Sequence, residues 1–160
     1  SKAGEFIYDR PFLWGSKRTG PDLHREGGKN PSSWHFKHMY NPRSTSAGSI
    51  MPRYPWLIAN ELDRSQTQDK LLLMKNVFDV PYTKAQIDSV DSWADNQASK
   101  IVKDIFTEAG DVKKQFDDEK AAKGANFIPL EKREITALIA YLQRLGTDIK
   151  TTEVTTASNN

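Results

Sequence analysis

The clearest hydrophobic pattern lies near the C-terminus, where apolar side chains recur every three or four positions between residues 131 and 145. Pro129-Leu130 precedes this stretch and Gly146 follows it, as is typical of the start and the end of a helix. The pattern predicts an amphipathic helix over 131–145. Its buried stripe is predicted to contain Ile135, Leu138, Ile139, Tyr141, Leu142 and Leu145.

The middle of the chain predicts further helices. Residues 59–77 carry leucines among charges and predict one helix, which ends before Val80-Pro81. Thr83 followed by Gln86 three positions later is the pattern of a capping box, so a second helix is predicted to begin there. This helix extends to Gly110, with a break near Asn96 because its length exceeds that of a typical helix. Its predicted apolar positions are Ile87, Val90, Trp93, Ala94, Ile101, Val102, Ile105 and Phe106.

Two highly polar segments lie in the C-terminal half. Residues 111–124 are rich in charge, which predicts a solvated helix or a mobile arm. Residues 150–160 are rich in Thr, Ser and Asn and are predicted to form a disordered tail.

The first third, residues 1–57, is punctuated by Gly and Pro too densely for long elements, yet it is rich in Trp, Tyr and Phe. Disordered linkers lack such aromatic content, so this segment is expected to wrap a small core or a flat ligand. One short helix is predicted within it, capped by Ser32 or Ser33 and ended by Asn41-Pro42.

Composition removes several classes of function. The 160 residues include no cysteine, which excludes a disulfide, a cysteine-based zinc site, an iron–sulfur cluster and a thiol nucleophile in this chain. Twenty-three basic and 21 acidic residues nearly balance, so no case for nucleic-acid binding arises. No apolar run approaches the roughly 20 residues of a membrane span, and no catalytic motif is present. We therefore expect no active site of the chain's own.

Met51 stands out because it lies on a proline-braced loop beside aromatic residues, in the segment Ile50-Met51-Pro52-Arg53-Tyr54-Pro55-Trp56-Leu57. A thioether is a soft, neutral ligand that suits haem iron. Pro52 and Pro55, which follow Met51, restrict the backbone and so reduce the entropy lost when the sulfur is held in place. Taken alone, Met51 is more simply interpreted as a packing residue. The interpretation as a haem ligand depends on two further segments.

Those segments are Trp14 to Leu23, which contains Gly20-Pro21, and the C-terminal helix with its ending Ala-Leu-Ile-Ala-Tyr-Leu-Gln-Arg-Leu-Gly-Thr. In this order the three resemble class I cytochromes c. The sequences AGEFIYDRPFLWGSKRTGPDLHREGG, WHFKHMYNPR, MPRYPWL and VPYT are similar to the mono-haem cytochrome c subunit of cbb3-type oxidases. The resemblance covers about residues 3–83 and 127–149, and it identifies 84–126 as a helical insertion.

The resemblance implies a mainly α, class I cytochrome c-like domain over residues 1–149. Met51 would be the distal ligand of the haem iron. The Pro21 carbonyl would accept a hydrogen bond from the proximal histidine, and Arg18 would bind a haem propionate. Trp34, Tyr54 and Trp56 would form the walls of the haem site.

The resemblance places the family's Cys-x-x-Cys-His motif, with its helix, just upstream of residue 1. Neither the motif nor that helix is present in these 160 residues. We therefore expect a fragment without covalent haem, whose intact parent carries haem c. The loss of part of the core would be offset by the extra helices or by homodimer formation.

The resemblance further implies electron transfer towards a catalytic haem–copper subunit, with a dihaem cytochrome c subunit as second partner. The domain would lie on the periplasmic side of the bacterial inner membrane, tethered by an anchor upstream of this chain. The alternative is a haem-free helical interaction module that uses residues 84–126 as its functional surface.

The three histidines do not by themselves predict a metal site. His35 and His38 are spaced to share a metal on a helix, but no third ligand is evident nearby. They and His24 are predicted to be surface or capping residues.

Overall fold

The computed structural model describes residues 13–147. Within them the protein is mainly helical, as predicted, and its only β pairing is an isolated bridge between Glu61 and Arg133. The helices are α1 (Ser32–Tyr40), α2 (Pro42–Thr45), α3 (Pro55–Ala59), α4 (Thr67–Phe78), α5 (Lys84–Asp88), α6 (Val90–Glu108), α7 (Gly110–Lys123) and α8 (Glu134–Arg144). The predicted tail, 150–160, lies outside the described residues.

The chain divides into two compact units. Among the described residues, the terminal unit consists of 13–31 with 141–147, and the central unit of 32–140. The boundary falls within the last turn of α8.

The central unit is built around one apolar cluster. Helix α6 packs against α1 and α7, and α1 also contacts α2 and α3. The cluster consists of Phe36, Ile58, Ile101, Val102, Ile105, Ala109, Val112, Phe116, Leu130, Ile135 and Ile139. Six of these eleven residues lie between positions 84 and 126. The predicted insertion therefore supplies much of this core and is not an appendage to it.

Helix α7 occupies the segment predicted to be a solvated helix or a mobile arm. It is a regular helix, and Val112 and Phe116 are buried on one side of it, 4% and 3% exposed. Two buried side chains one helical turn apart are enough to attach an otherwise charged helix. The interpretation as a mobile arm is therefore wrong.

The boundaries of two predicted helices differ in the structure. Helix α4 begins at Thr67 instead of residue 59, because the Leu62 N–H donates to the Lys132 carbonyl and holds this stretch extended. The break in the second predicted helix falls at Ser89, not near Asn96. The Ser89 hydroxyl donates to the Ala85 carbonyl at 2.7 Å, a side-chain bond that competes with helix continuation.

The helix signals at several ends are confirmed. Thr83 and Gln86 form the predicted capping box at the start of α5. Helix α1 stops where Asn41-Pro42 was expected to end it. Gly146 follows α8 with a φ of 74°, the left-handed conformation that ends many helices.

Two aromatic residues on the predicted apolar stripes are exposed instead. Trp93 on α6 is 52% exposed and Tyr141 on α8 is 59% exposed, so their predicted burial is wrong. Ile135, Ile139 and Leu142 are buried as predicted. Large aromatic residues carry enough polar character and surface area to be tolerated at the margin of an apolar stripe.

Arg133 is the main polar residue of the central core, with 3% exposure. Its Nε and Nη2 atoms donate to the Ile128 carbonyl at 2.8 and 2.6 Å, and Nη1 donates to the Ile58 carbonyl at 2.8 Å. It also pairs with Glu119 at 3.0 Å and lies over the Phe116 ring, 4.6 Å from its centroid. One side chain thus connects α3, α7 and the segment before α8.

The terminal unit is held together by the loop that follows Leu23–Arg25. The Gly27 N–H donates to the Leu145 carbonyl at 2.9 Å, and the Gln143 side chain bonds both Gly28 N–H and the Asn30 carbonyl. An added Cβ on Gly146 would lie 2.2 Å from the His24 carbonyl oxygen. The end of α8 and this loop are consequently in close contact.

Candidate functional site: the methionine loop

Met51 lies in the loop between α2 and α3, where backbone and side-chain bonds restrain it. The Ser49 N–H donates to the Ser46 carbonyl at 2.9 Å, and the Met51 N–H donates to the Ser49 hydroxyl at 3.2 Å. The Tyr54 N–H donates to the Met39 carbonyl at 3.1 Å, which attaches the loop to the end of α1. Met51 itself is half-buried and is not part of the apolar cluster, so these bonds restrain the loop that carries it.

Two of the predicted wall residues are in contact beside Met51. The rings of Tyr54 and Trp56 meet edge to face, with centroids 5.2 Å apart. Pro55 between them begins α3, a position where its missing N–H costs no hydrogen bond. Tyr54 is half-buried and Trp56 is 50% exposed, so this pair presents an aromatic surface next to the sulfur-bearing loop.

Trp34, the third predicted wall residue, contacts the histidines of α1. Its ring stacks on that of His38 at 4.5 Å and meets the ring of His35 edge to face at 5.3 Å. His38 in turn bonds the Thr45 hydroxyl through Nδ1. These contacts fix the orientation of the Trp34 ring at the junction of α1 and α2.

The histidines differ from their predicted exposure. His35 is 2% exposed and His38 is half-buried, so the prediction of surface histidines is wrong for His35. Histidine is intermediate among residues in its tendency to be buried, and the His35 ring here meets that of Trp34 edge to face. Within residues 13–147, no group of three metal-ligating side chains is found.

Arg18 and Pro21, the remaining predicted site residues, lie in the terminal unit. The Arg18 guanidinium lies 3.2 Å from the Asp22 carboxylate through Nε, and its Nη2 lies 2.7 Å from Nδ1 of His24. Nη2 also donates to the Leu13 carbonyl at 2.8 Å. Sequence reasoning missed this cluster of Arg18, Asp22 and His24, although the spacing of Arg18 and Asp22 was a visible signal.

Pro21 lies exposed in the turn between Arg18 and the Leu23–Arg25 turn. No residue within 13–147 donates a hydrogen bond to its carbonyl oxygen. The Pro21 carbonyl oxygen, the predicted acceptor for the proximal histidine, is therefore not used by the turn itself.

The chain matches, over residues 1–149, the family described as cytochrome c oxidase, mono-heme subunit/FixO. The chain belongs to this family. Membership confirms the identification as the mono-haem subunit of a cbb3-type oxidase, a component of electron transfer. No match was found among curated proteins.

Family membership also implies haem in the parent protein and partner subunits within a membrane-bound oxidase. None of the helices described between residues 13 and 147 has the length and the apolar character of a membrane span.

The residues of the methionine loop fit one side of a haem. A thioether is a suitable axial ligand for low-spin iron, and the neighbouring aromatic pair offers a surface of the kind that covers a porphyrin edge. The absence of cysteine means that the 160 residues cannot make the thioether bonds of a c-type haem.

Proposed function

We propose that this chain is the electron-transfer domain of the mono-haem cytochrome c subunit, with Met51 as the distal axial ligand of its haem. The observation that carries the proposal is the restrained, half-buried position of Met51 beside the Tyr54–Trp56 pair, in a chain of this family. The haem supplies a one-electron redox centre when bound.

The chain's own residues would hold and shield that centre. Met51 provides its sulfur, while Tyr54, Trp56 and Trp34 exclude water from the porphyrin edge. Low solvent access and a thioether ligand both favour a higher reduction potential.

Two residues of the terminal unit complete the proposal. Arg18 binds a propionate by charge-assisted hydrogen bonds, and the Pro21 carbonyl accepts the N–H of the proximal histidine. Asp22 and His24 already contact the Arg18 guanidinium, which supports a fixed orientation for it.

The covalent attachment and the assembly belong to the parent protein in this proposal. The Cys-x-x-Cys-His motif and a membrane anchor are contributed by residues outside these 160, and the 160 residues by themselves carry no covalent haem. Electrons pass to the catalytic haem–copper subunit on the periplasmic side, with the dihaem subunit as the second partner.

Spectra of the parent protein test the axial ligand. The gene, expressed with its native upstream region under cytochrome c maturation conditions, should give a low-spin c-type spectrum. Met51→Ala should lose the methionine–iron charge-transfer band of the oxidised protein. Met74→Ala is the matched control, since Met74 is 40% exposed on α4 and should leave the band unchanged.

Each alternative has a distinct outcome in this experiment. A charge-transfer band that persists in Met51→Ala would assign the axial role to another residue. A parent that holds no haem, with no Cys-x-x-Cys-His in its upstream codons, would instead favour a haem-free interaction module. A Soret band that survives acid-acetone extraction of the 160-residue chain would contradict its haem-free state.

A further inference from the structure

The charges of this chain are distributed unevenly along the sequence. Residues 1–60 contain nine basic and four acidic residues, a net charge of +5, whereas residues 61–160 carry 14 basic and 17 acidic residues. Between Glu26 and Glu61 there is no acidic residue at all. The basic side chains in this interval are Lys29, Lys37, Arg43 and Arg53.

Only two of these four cations are paired with carboxylates. Lys29 lies 3.7 Å from Glu26, and Lys37 lies 3.1 Å from Asp111. Arg43 and Arg53 are both exposed, and no carboxylate within residues 13–147 pairs with either of them. Their positive charge is therefore directed to solvent without local neutralisation.

Both arginines belong to the methionine loop and its approach. Arg43 donates from Nε to the Ser49 carbonyl at 3.3 Å, which brings its side chain to the residue before Ile50. Arg53 follows Met51 by two positions. The two charges thus lie on either side of Met51 along the chain.

An apolar side chain of the same loop lies between these two charges along the chain. Ile50, which directly precedes Met51, is 88% exposed. An exposed apolar side chain flanked along the chain by arginines has the composition of a protein-binding surface, where Arg is enriched. We call the exposed stretch that carries Arg43, Ile50 and Arg53 the methionine-loop surface.

We propose that the methionine-loop surface is the docking site for an acidic electron-transfer protein. Unneutralised cations attract an acidic partner over a Debye length and raise the association rate, while the exposed apolar side chain suits a brief contact. The proposal rests on the function proposed above, because docking at this loop brings the partner next to the iron ligand Met51.

Stopped-flow reduction of the haem-loaded, full-length protein tests this surface. The probe is flavodoxin hydroquinone, a small and strongly acidic redox protein, at an ionic strength of about 10 mM, where charges act over some 30 Å. Arg43→Glu/Arg53→Glu should lower the second-order rate constant by about tenfold or more. The difference should shrink markedly at about 1 M salt.

Two variants separate local charge from other effects. Lys113→Glu/Lys114→Glu changes the net charge equally at exposed positions of α7 and should alter the rate much less. Arg43→Lys/Arg53→Lys keeps the charge but not the guanidinium geometry, and should retain most of the rate. Equal rates for the two double-glutamate variants would overturn the proposal.

A neutral reductant distinguishes failure of this inference from failure of the proposed function. Lumiflavin semiquinone carries no charge to steer, so it should reduce the wild type and all variants equally fast. Normal reduction by lumiflavin without any effect of the arginines on flavodoxin would reject only the docking surface. A parent with no reducible haem would reject the proposed function and this inference with it.

Discussion

At the scale of single residues, Arg133 shows how a charged side chain can organise a core. Its guanidinium satisfies two backbone carbonyls that no regular helix or strand pairs, and it also meets a carboxylate and an aromatic face. A planar group with five donors suits such a site better than the single ammonium of lysine.

Arg133→Ala should lower the free energy of unfolding by about 3–5 kcal/mol, since the carbonyls and Glu119 lose a buried cationic partner. Arg133→Lys should recover only part of this loss. Urea denaturation of the purified protein measures both. Lys132→Ala, one position away and exposed, should change stability by less than about 0.5 kcal/mol. Similar losses at both positions would contradict the role of Arg133.

Gly146→Ala should destabilise the terminal unit for two reasons. The φ of 74° is unfavourable for alanine by about 1–2 kcal/mol, and the new Cβ would lie 2.2 Å from the His24 carbonyl oxygen. Gly28→Ala provides the comparison, because Gly28 has a φ of 72° with nothing within 4 Å of an added Cβ. Denaturation midpoints should show the larger loss at Gly146. Equal losses would mean that the contact with His24 relaxes easily.

At the scale of elements, α6 and α7 show that charge content alone is a poor guide to packing. Helix α7 is charged over most of its length, yet Phe116 contacts the rings of Phe36 and Phe106 as well as Arg133. Attachment of the helix depends on a few positions that face the core.

Phe116→Ala should cost about 3–5 kcal/mol, because it leaves a cavity among the packed aromatic residues of the central unit. Trp93→Ala on α6 removes a larger side chain that is 52% exposed, and its effect should be much smaller. Thermal or urea unfolding distinguishes the two. A small loss for Phe116→Ala would show that α7 is only loosely attached, as a mobile arm would be.

At the scale of the whole molecule, stability should depend on three carboxylates with lowered pKa values. The Ser65 backbone N–H lowers the pKa of Asp63, and the hydrogen bond from Lys37 lowers that of Asp111. Burial, the largest single influence on Glu119, acts to raise its pKa, but hydrogen bonds from Lys123 and Arg133 together hold the pKa below its ordinary value.

Acidification should therefore destabilise the protein. A carboxylate with a lowered pKa in the fold contributes stability that is complete above its unfolded value, 3.8 for aspartate and 4.5 for glutamate, and is lost as the pH falls through the folded value. Urea midpoints measured from pH 7 to about pH 2.5 should fall below about pH 4.5. Glu119→Gln should make this fall shallower than the control Asp118→Asn does. Identical pH profiles would contradict the role of Glu119.

The methionine loop illustrates how far the sequence predicts a site. The proline-braced segment around Met51 and the aromatic pair Tyr54 and Trp56 were visible in one short run of residues, because ligand and neighbours are local. The contacts of Trp34 with His38, and those of Arg18 with Asp22 and His24, were not predicted, because side-chain orientation is decided by packing. The roles assigned to these residues at a haem stay predictions.

The sequence by itself determined the family, the mainly helical class, the capping box at Thr83 and the helix stop at Gly146, since each depends on neighbouring residues. Only the tertiary structure decided where α4 begins, that α7 is packed, that Trp93 and Tyr141 are exposed, and that Arg133 is buried. These features depend on contacts between residues far apart in the chain. A local pattern carries propensity and periodicity, whereas burial depends on which distant surface meets each helix face.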